Sequence, residues 1–178
     1  MVKAKKLLCQ IVLVIIVGVF CLGRPGFCAN AQLKLSLLLE KTEYSADEPI
    51  NTILSLKNLG SSSIIVNQRF YISSQSVAKN QREVYLELTS PSGTKLACQH
   101  FYETGYPKTE YFKLLAPGEE TKSEYPRNLR GFFEITEPGT YTVVAVYQNV
   151  FGSELGLDTF KEQLVSEPVK FTVANTKK

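Results

Sequence analysis

From residue 32 onward, apolar residues recur at every second position in short runs, the spacing of strands that bury one face. Leu33, Leu35, Leu37 and Leu39 alternate with Lys34, Ser36, Leu38 and Glu40, which predicts a first strand. The turn-forming cluster Ser45-Ala46-Asp47-Glu48-Pro49 follows, and then Ile50, Thr52, Leu54 and Leu56 alternate with Asn51, Ile53, Ser55 and Lys57. Asn58-Leu59-Gly60 closes this second strand, and Ile64-Ile65-Val66 predicts a short third. Asn67 to Arg82 is polar and irregular apart from Phe70, Tyr71 and Ile72, and reads as the first substantial loop. Val84, Leu86 and Leu88 then oppose Tyr85, Glu87 and Thr89, and Ser90-Pro91-Ser92-Gly93 turns the chain back through Thr94 to Gln99. Proline presets φ for such a turn and glycine accepts positive φ, so this stretch predicts a hairpin.

The second half repeats the pattern. A strand is predicted over Glu110 to Leu115, a turn at Ala116-Pro117-Gly118-Glu119, and an apolar stretch from Leu129 to Ile135 that includes Phe132 and Phe133. After Glu137-Pro138-Gly139, the run Thr140 to Asn149 is apolar on both faces: Tyr141, Val143, Ala145 and Tyr147 on one, Val144 and Val146 on the other. That is the composition of a central strand covered from both sides. Val150 to Glu167 reads either as a long loop or as a short helix around Phe160 and Leu164, and Val169, Phe171 and Val173 form a last alternating strand. Short strands separated by turn signals, with no long helical period, predict an all-β chain built as an antiparallel β-sandwich. No internal repeat, low-complexity tract or linker divides residues 32–178, so one domain suffices.

The first 31 residues have a different character. Lys3, Lys5 and Lys6 precede an apolar run from Leu7 to Leu22, and Gly23, Arg24, Pro25 and Gly26 break it. This is a signal-peptide pattern, with Ala29-Asn30-Ala31 supplying the small residues before a cut after Ala31. As a helix the run would span about 24 Å at ~1.5 Å per residue, short of the ~30 Å hydrocarbon core, although an uncleaved membrane anchor is the alternative. Cys21 and Cys28 follow Phe20 and Phe27, which fits a lipoprotein signal poorly because such signals resemble one another in carrying a small residue before the cysteine. The expectation is a signal peptide over 1–31, a domain over 32–178, and a secreted or periplasmic location.

Cleavage changes the charge. The whole chain has 20 basic and 17 acidic residues, a net of +3, but Lys3, Lys5, Lys6 and Arg24 leave with the leader while every acidic residue stays. The remainder is close to neutral, and no basic stripe is left to neutralise a phosphate backbone, so nucleic acid is not an expected partner. Of the 4 cysteines, Cys9, Cys21 and Cys28 lie in the leader, which leaves Cys98 without an internal disulfide partner. In phase with Leu96, it reads as a small apolar residue.

The stretch Gly139-Thr140-Tyr141-Thr142-Val143 resembles the entry to a strand of immunoglobulin-type domains, Gly-x-Tyr-x-Cys, with Val143 where antibody domains carry cysteine. The resemblance implies an immunoglobulin-like sandwich of about seven to nine strands. It also implies a structural corner at Gly139 and Tyr141, the tyrosine hydroxyl bonding to backbone a few residues upstream. Glu43-Tyr44, Pro49 to Asn58, Tyr111 to Glu119 and Pro138 to Tyr147 extend the likeness. They resemble the domain that precedes the catalytic domain in deuterolysin-type zinc proteases and, more loosely, intracellular-proteinase-inhibitor-like domains. The sequence ends where such a protease would begin its catalytic domain and contains no His-Glu-x-x-His. The resemblance therefore implies a module without the protease.

Little in the sequence points to chemistry. His100 is the single histidine, which excludes a multi-imidazole metal site within one chain, and its place at a hairpin end suits a surface residue. Asp47-Glu48 and Glu119-Glu120 lie in or beside turns, and adjacent strand residues point to opposite faces, which argues against acids converging on one sugar ring. Glu154, Asp158 and Glu162 lack the Asp-x-Asp-x-Asp-Gly frame of a calcium loop, and phosphate-binding glycine loops and a Gly-x-Ser-x-Gly elbow are missing. No cofactor or metal is expected. The aromatic run from Phe101 to Phe112 supplies the remaining signal: Tyr102, Tyr106 and Tyr111 are candidate partner-binding residues, with Phe101 and Phe112 assigned to the core. The expected function is a non-enzymatic binding domain for an extracellular or envelope protein, a protease included, or a glycan. Its alternative is a protease inhibitor or protease-associated module that inserts Asn67 to Arg82 or Tyr102 to Thr109 into a partner.

Overall fold

The alternating leucines of the first strand set the arrangement. In a computed structural model that describes residues 32–78, 81–99 and 105–175, strand β1 (Leu33–Leu39) buries Leu33, Leu35 and Leu37 and leaves Lys34 in solvent. It pairs antiparallel with β3 (Asn51–Asn58), Leu35 opposite Leu56 and Leu37 opposite Leu54. The far edge of β3 carries two short strands, β8 (Glu120–Lys122) and β9 (Arg127–Asn128), which complete the first sheet.

The second sheet is built on β10 (Gly139–Tyr147), which is flanked by β5 (Val84–Thr89) on one edge and β12 (Val169–Val173) on the other. Outside these lie β6 (Lys95–Leu96) and β2 (Glu43–Tyr44), and β11 (Leu164–Val165) pairs with the end of β10 beyond β12. Only β2 runs parallel to its neighbour among these pairings. A separate two-stranded ribbon joins β4 (Ile64–Asn67) to β7 (Phe112–Leu115). The regular structure among the described residues is thus almost entirely β, in several mainly antiparallel sheets, an arrangement consistent with a β-sandwich. No helix among them is long and apolar enough to cross a membrane.

Side chains from both main sheets and the ribbon meet in one hydrophobic cluster that includes Leu35, Leu56, Leu115, Leu88, Val143 and Phe171. On β10 the predicted inward face is buried, and on the other face Val146 is buried while Val144 is half-buried. Tyr141 stacks on Phe171 at 5.3 Å and 6°, and Tyr44 meets the same ring edge-on at 5.9 Å. The Tyr141 hydroxyl donates to the Glu137 carbonyl at 2.7 Å. Between them Gly139 adopts φ 129, and a Cβ there would lie 2.9 Å from Pro91, so both conformation and space call for glycine.

Several elements depart from the periodicity. The strand expected from Glu110 begins at Phe112, because Thr109–Tyr111 closes a 3-10 turn first. The 150–167 segment has no α-helix at Phe160 and Leu164. It contains a 3-10 turn at Ser153–Leu155, a parallel bridge of Thr159 to Ile65, and β11. In the stretch from Asn67 to Arg82, Phe70 and Ile72 are buried and anchor the chain to the core. The hairpin turn forms as expected, with Gly93 at φ 84 and its amide donating to the Ser90 carbonyl. Residues 1–31, including the leader cysteines and the cleavage position, lie outside the described residues, as do His100, Phe101 and Tyr102.

Candidate functional site

Where β4 ends, Asn67 folds its side chain back to accept the Arg69 amide at 3.0 Å, an Asx-type turn that breaks the strand. Phe70 then takes φ 47, a left-handed conformation that costs a non-glycine residue about 1–3 kcal/mol, and its ring is buried edge-on against Tyr147. Burial of that ring holds the strained turn in place and fixes its neighbours, Arg69 and Tyr71, in the lining of a groove of about 710 Å³. Tyr111 enters from the turn before β7, Lys122 from the end of β8, Tyr125 from the connection and Arg127 from β9.

The floor is a charge pair. The Arg69 guanidinium donates through Nε to Glu83 Oε2 at 3.2 Å, bonds through Nη2 to Glu83 Oε1, and donates through Nη1 to the Gly105 carbonyl at 3.0 Å. Glu83 is 1% exposed and accepts the Tyr71 amide at 3.3 Å as well. The guanidinium also lies 5.6 Å from the Tyr71 ring centre and 5.5 Å from that of Tyr111, which fixes both tyrosines by cation–π contact. Beneath the floor, the Tyr147 hydroxyl accepts the Asn67 amide at 3.0 Å and donates to the Asn67 carbonyl at 3.1 Å. Burial pushes the Tyr147 phenol far above its ordinary range, against the smaller opposing pull of the Asn67 backbone. Asn67 Nδ2 donates to Asn149 Oδ1, and the Asn149 amide reaches the Phe151 carbonyl at 2.9 Å, so the 150–167 segment is tied to the same network.

The rim is less committed. Tyr125 is 59% exposed and its ring stacks on no other among the described residues. The Glu124 carboxylate beside it raises its phenol pKa. Lys122 Nζ is 3.8 Å from Glu120 on its own strand, a weak surface pairing, and the half-buried Arg127 guanidinium makes no hydrogen bond or salt bridge among the described residues.

The aromatic residues singled out from the sequence do not form one patch. Tyr111 lines the groove, whereas Tyr106, 78% exposed, meets Phe151 edge-on at 5.7 Å, and Tyr102 lies outside the described residues. Phe112, assigned to the core, is half-buried. Tyr141 and Gly139 lie at the start of β10 and are not among the groove-lining residues. Sequence reasoning missed Arg69, Tyr71, Lys122, Tyr125 and Arg127. Arg69-Phe70-Tyr71, a cation and two rings inside an otherwise polar loop, was the available signal for the first two.

The acidic residues have local work. Glu48 accepts from Lys41 and from the Ser45 amide, and Glu119 from Lys113 and the Ala116 amide, bonds that hold both carboxyls below their ordinary range. Glu154 accepts the Gly152 amide at 3.0 Å, while Asp158 lies in a shallow hollow with Ser63 and Leu114. Among the described residues no three His, Cys, Asp or Glu side chains gather as a metal-binding group. Cys98 is half-buried and packs against the core.

No family model matches the chain, and no curated protein matches it. Among solved structures it is similar to a β-glucosidase from Listeria innocua in complex with gluconolactone, at 16% identity and a TM-score of 0.35. The match covers 80% of this chain but only 16% of that one, and a likeness of this size carries no inference about activity.

Proposed function

We propose that residues 32–178 form one immunoglobulin-like β-sandwich domain that is exported, has no catalytic role, and binds a protein or glycan of the cell envelope or its surroundings. The immunoglobulin-like reading is supported by strand order: β1-β3 followed by β8 and β9 in one sheet, and β2-β12-β10-β5-β6 in the other. The Tyr141 bond to the backbone four residues upstream, at the start of the strand, supports it too. Export rests on the basic-apolar-small pattern of residues 1–31.

The observation that carries the binding reading is the groove. Its floor is held by a largely buried ion pair whose guanidinium lies against two tyrosine rings, yet its rim offers an exposed tyrosine and an arginine that has no acidic partner among the described residues. Rigid presentation of the Tyr71 and Tyr111 rings against the Arg69 guanidinium lowers the entropy lost on binding. The test is site-specific photo-crosslinking in the native host, with the crosslinking residue placed at Tyr125 or, as control, at exposed Lys34 on the β1 edge. Adducts to an envelope component from position 125 and none from 34 are expected. Equal labelling from both positions, or hydrolase turnover by the purified chain that persists when Tyr111 and Tyr125 are changed, would overturn the reading.

A further inference from the structure

We infer that the groove is a subsite for an acidic saccharide, a chain of carboxylated sugar rings such as a polyuronate. This rests on the binding-module reading and names the ligand class of its groove. Three features of the lining select that chemistry. The first is the absence, among the described residues, of an aliphatic anchor: tyrosine rings, cations, Gln68, Glu124 and Gly105 line the groove, with no described Leu, Ile, Val, Phe or Met beside them. A protein partner draws its affinity from an apolar core at the centre of the interface, which this lining does not offer. A sugar ring presents C–H edges that pack on an aromatic face and hydroxyls that bond to polar side chains, and this lining suits both.

The second feature is charge. Arg69 is neutralised by Glu83, but Arg127 has no acidic partner among the described residues and Lys122 only a distant one on its own strand. Together they outnumber Glu124, the one carboxylate among the described lining residues, which lies against the Tyr125 phenol. A ligand carboxylate would give Arg127 the planar bidentate partner it lacks. The third feature is dimension. At about 710 Å³ the groove falls within the ~300–1,000 Å³ range of ligand sites, roomy enough for sugar rings. Its contributors come from two separate β pairings, the β4–β7 ribbon and the β8–β9 edge of the first sheet, so a ligand would lie across the seam between them.

In this arrangement Tyr125 is the stacking platform, Arg127 and Lys122 hold carboxylates, and Tyr111, pinned by Arg69, forms the opposite wall. Titration calorimetry of the full chain with an oligogalacturonate, the same oligomer reduced at its carboxyls, and poly-glutamate tests the assignment. The oligogalacturonate should bind, with affinity falling as salt rises, and the reduced oligomer should bind at least about tenfold more weakly. Arg127→Gln should weaken the acidic oligomer about tenfold with little effect on the reduced one, and Tyr125→Ala should weaken both, whereas Tyr125→Phe retains stacking. Lys122→Gln, at an exposed position, gives a second variant whose melting temperature should match the parent. Equal affinity for the reduced oligomer, equal affinity for poly-glutamate, or no binding of the oligogalacturonate would overturn the assignment. If the acidic oligomer fails while position 125 still crosslinks to an envelope component, the ligand class falls and the binding module stands. Loss of both removes both.

Discussion

At the scale of single residues, the cost of losing a polar group depends on whether water can replace its partner. Arg69 and Glu83 illustrate the asymmetry: a buried ion pair adds little net stability, but removal of one partner strands the other's charge. Arg69→Ala should therefore cost about 3–5 kcal/mol in denaturant unfolding, because Glu83 at 1% exposure cannot rehydrate without opening the site. The double change Arg69→Met with Glu83→Leu should recover most of that loss, and a double variant no more stable than the single would disprove the account. Tyr141→Phe is a milder case. It deletes one bond to the Glu137 carbonyl, whose residue is exposed and can turn to water, so a loss of about 1 kcal/mol is expected from urea midpoints. A loss above about 3 kcal/mol would mean that the hydroxyl organises more than this corner.

At the scale of elements, how much could be read from the sequence tracks strand length. β1, β3, β5, β10 and β12 each carry enough alternating positions for a period to emerge, and the structure has strands there. β8, β9 and β11 have three residues or fewer and no period; they are strands because β3 or β10 offers a free edge. The groove was hidden for the same reason. Lys122, Tyr125 and Arg127 fall where the apolar pattern fades, and Arg69 gains its meaning from Glu83, a partner 14 positions away that only folding brings near. Tyr111 was legible because aromatic density needs no partner to be noticed, but its neighbours in that run went elsewhere, Tyr106 to Phe151. Strand context also orders local stability. β10 is bonded along both edges, whereas among the described residues β7 is paired to β4 alone, so native-state hydrogen exchange should be slowest at amides from Tyr141 to Val146 and faster across Phe112 to Leu115. Equal protection in the two would mean that the ribbon opens only when the whole fold does.

At the scale of the molecule, Tyr147 joins parts that the sequence sets far apart. Its ring belongs to the central strand, its hydroxyl holds both backbone groups of Asn67 at the end of the ribbon, and Asn67 in turn carries Asn149 and the Arg69 turn. Ionising that phenol would put an anion into the core and remove the donor to the Asn67 carbonyl. The unfolded chain releases the proton near pH ~10, whereas burial holds it on in the folded protein to far higher pH. The contribution is thus fully present below pH ~10 and is lost as pH rises beyond it, because there the unfolded state binds fewer protons than the native one. Tyr141, also raised by burial, acts in the same direction. Unfolding free energy should be nearly flat with respect to these groups up to about pH 9 and then fall by ~1.4 kcal/mol per pH unit for each buried phenol still protonated in the fold. Tyr147→Phe should start about 1–3 kcal/mol less stable at neutral pH, since Asn67 loses its partner, but decline less steeply through the alkaline range. Urea midpoints taken across that range for both proteins decide the matter: converging curves are expected, and parallel ones would mean that the alkaline limit of this fold lies in other groups.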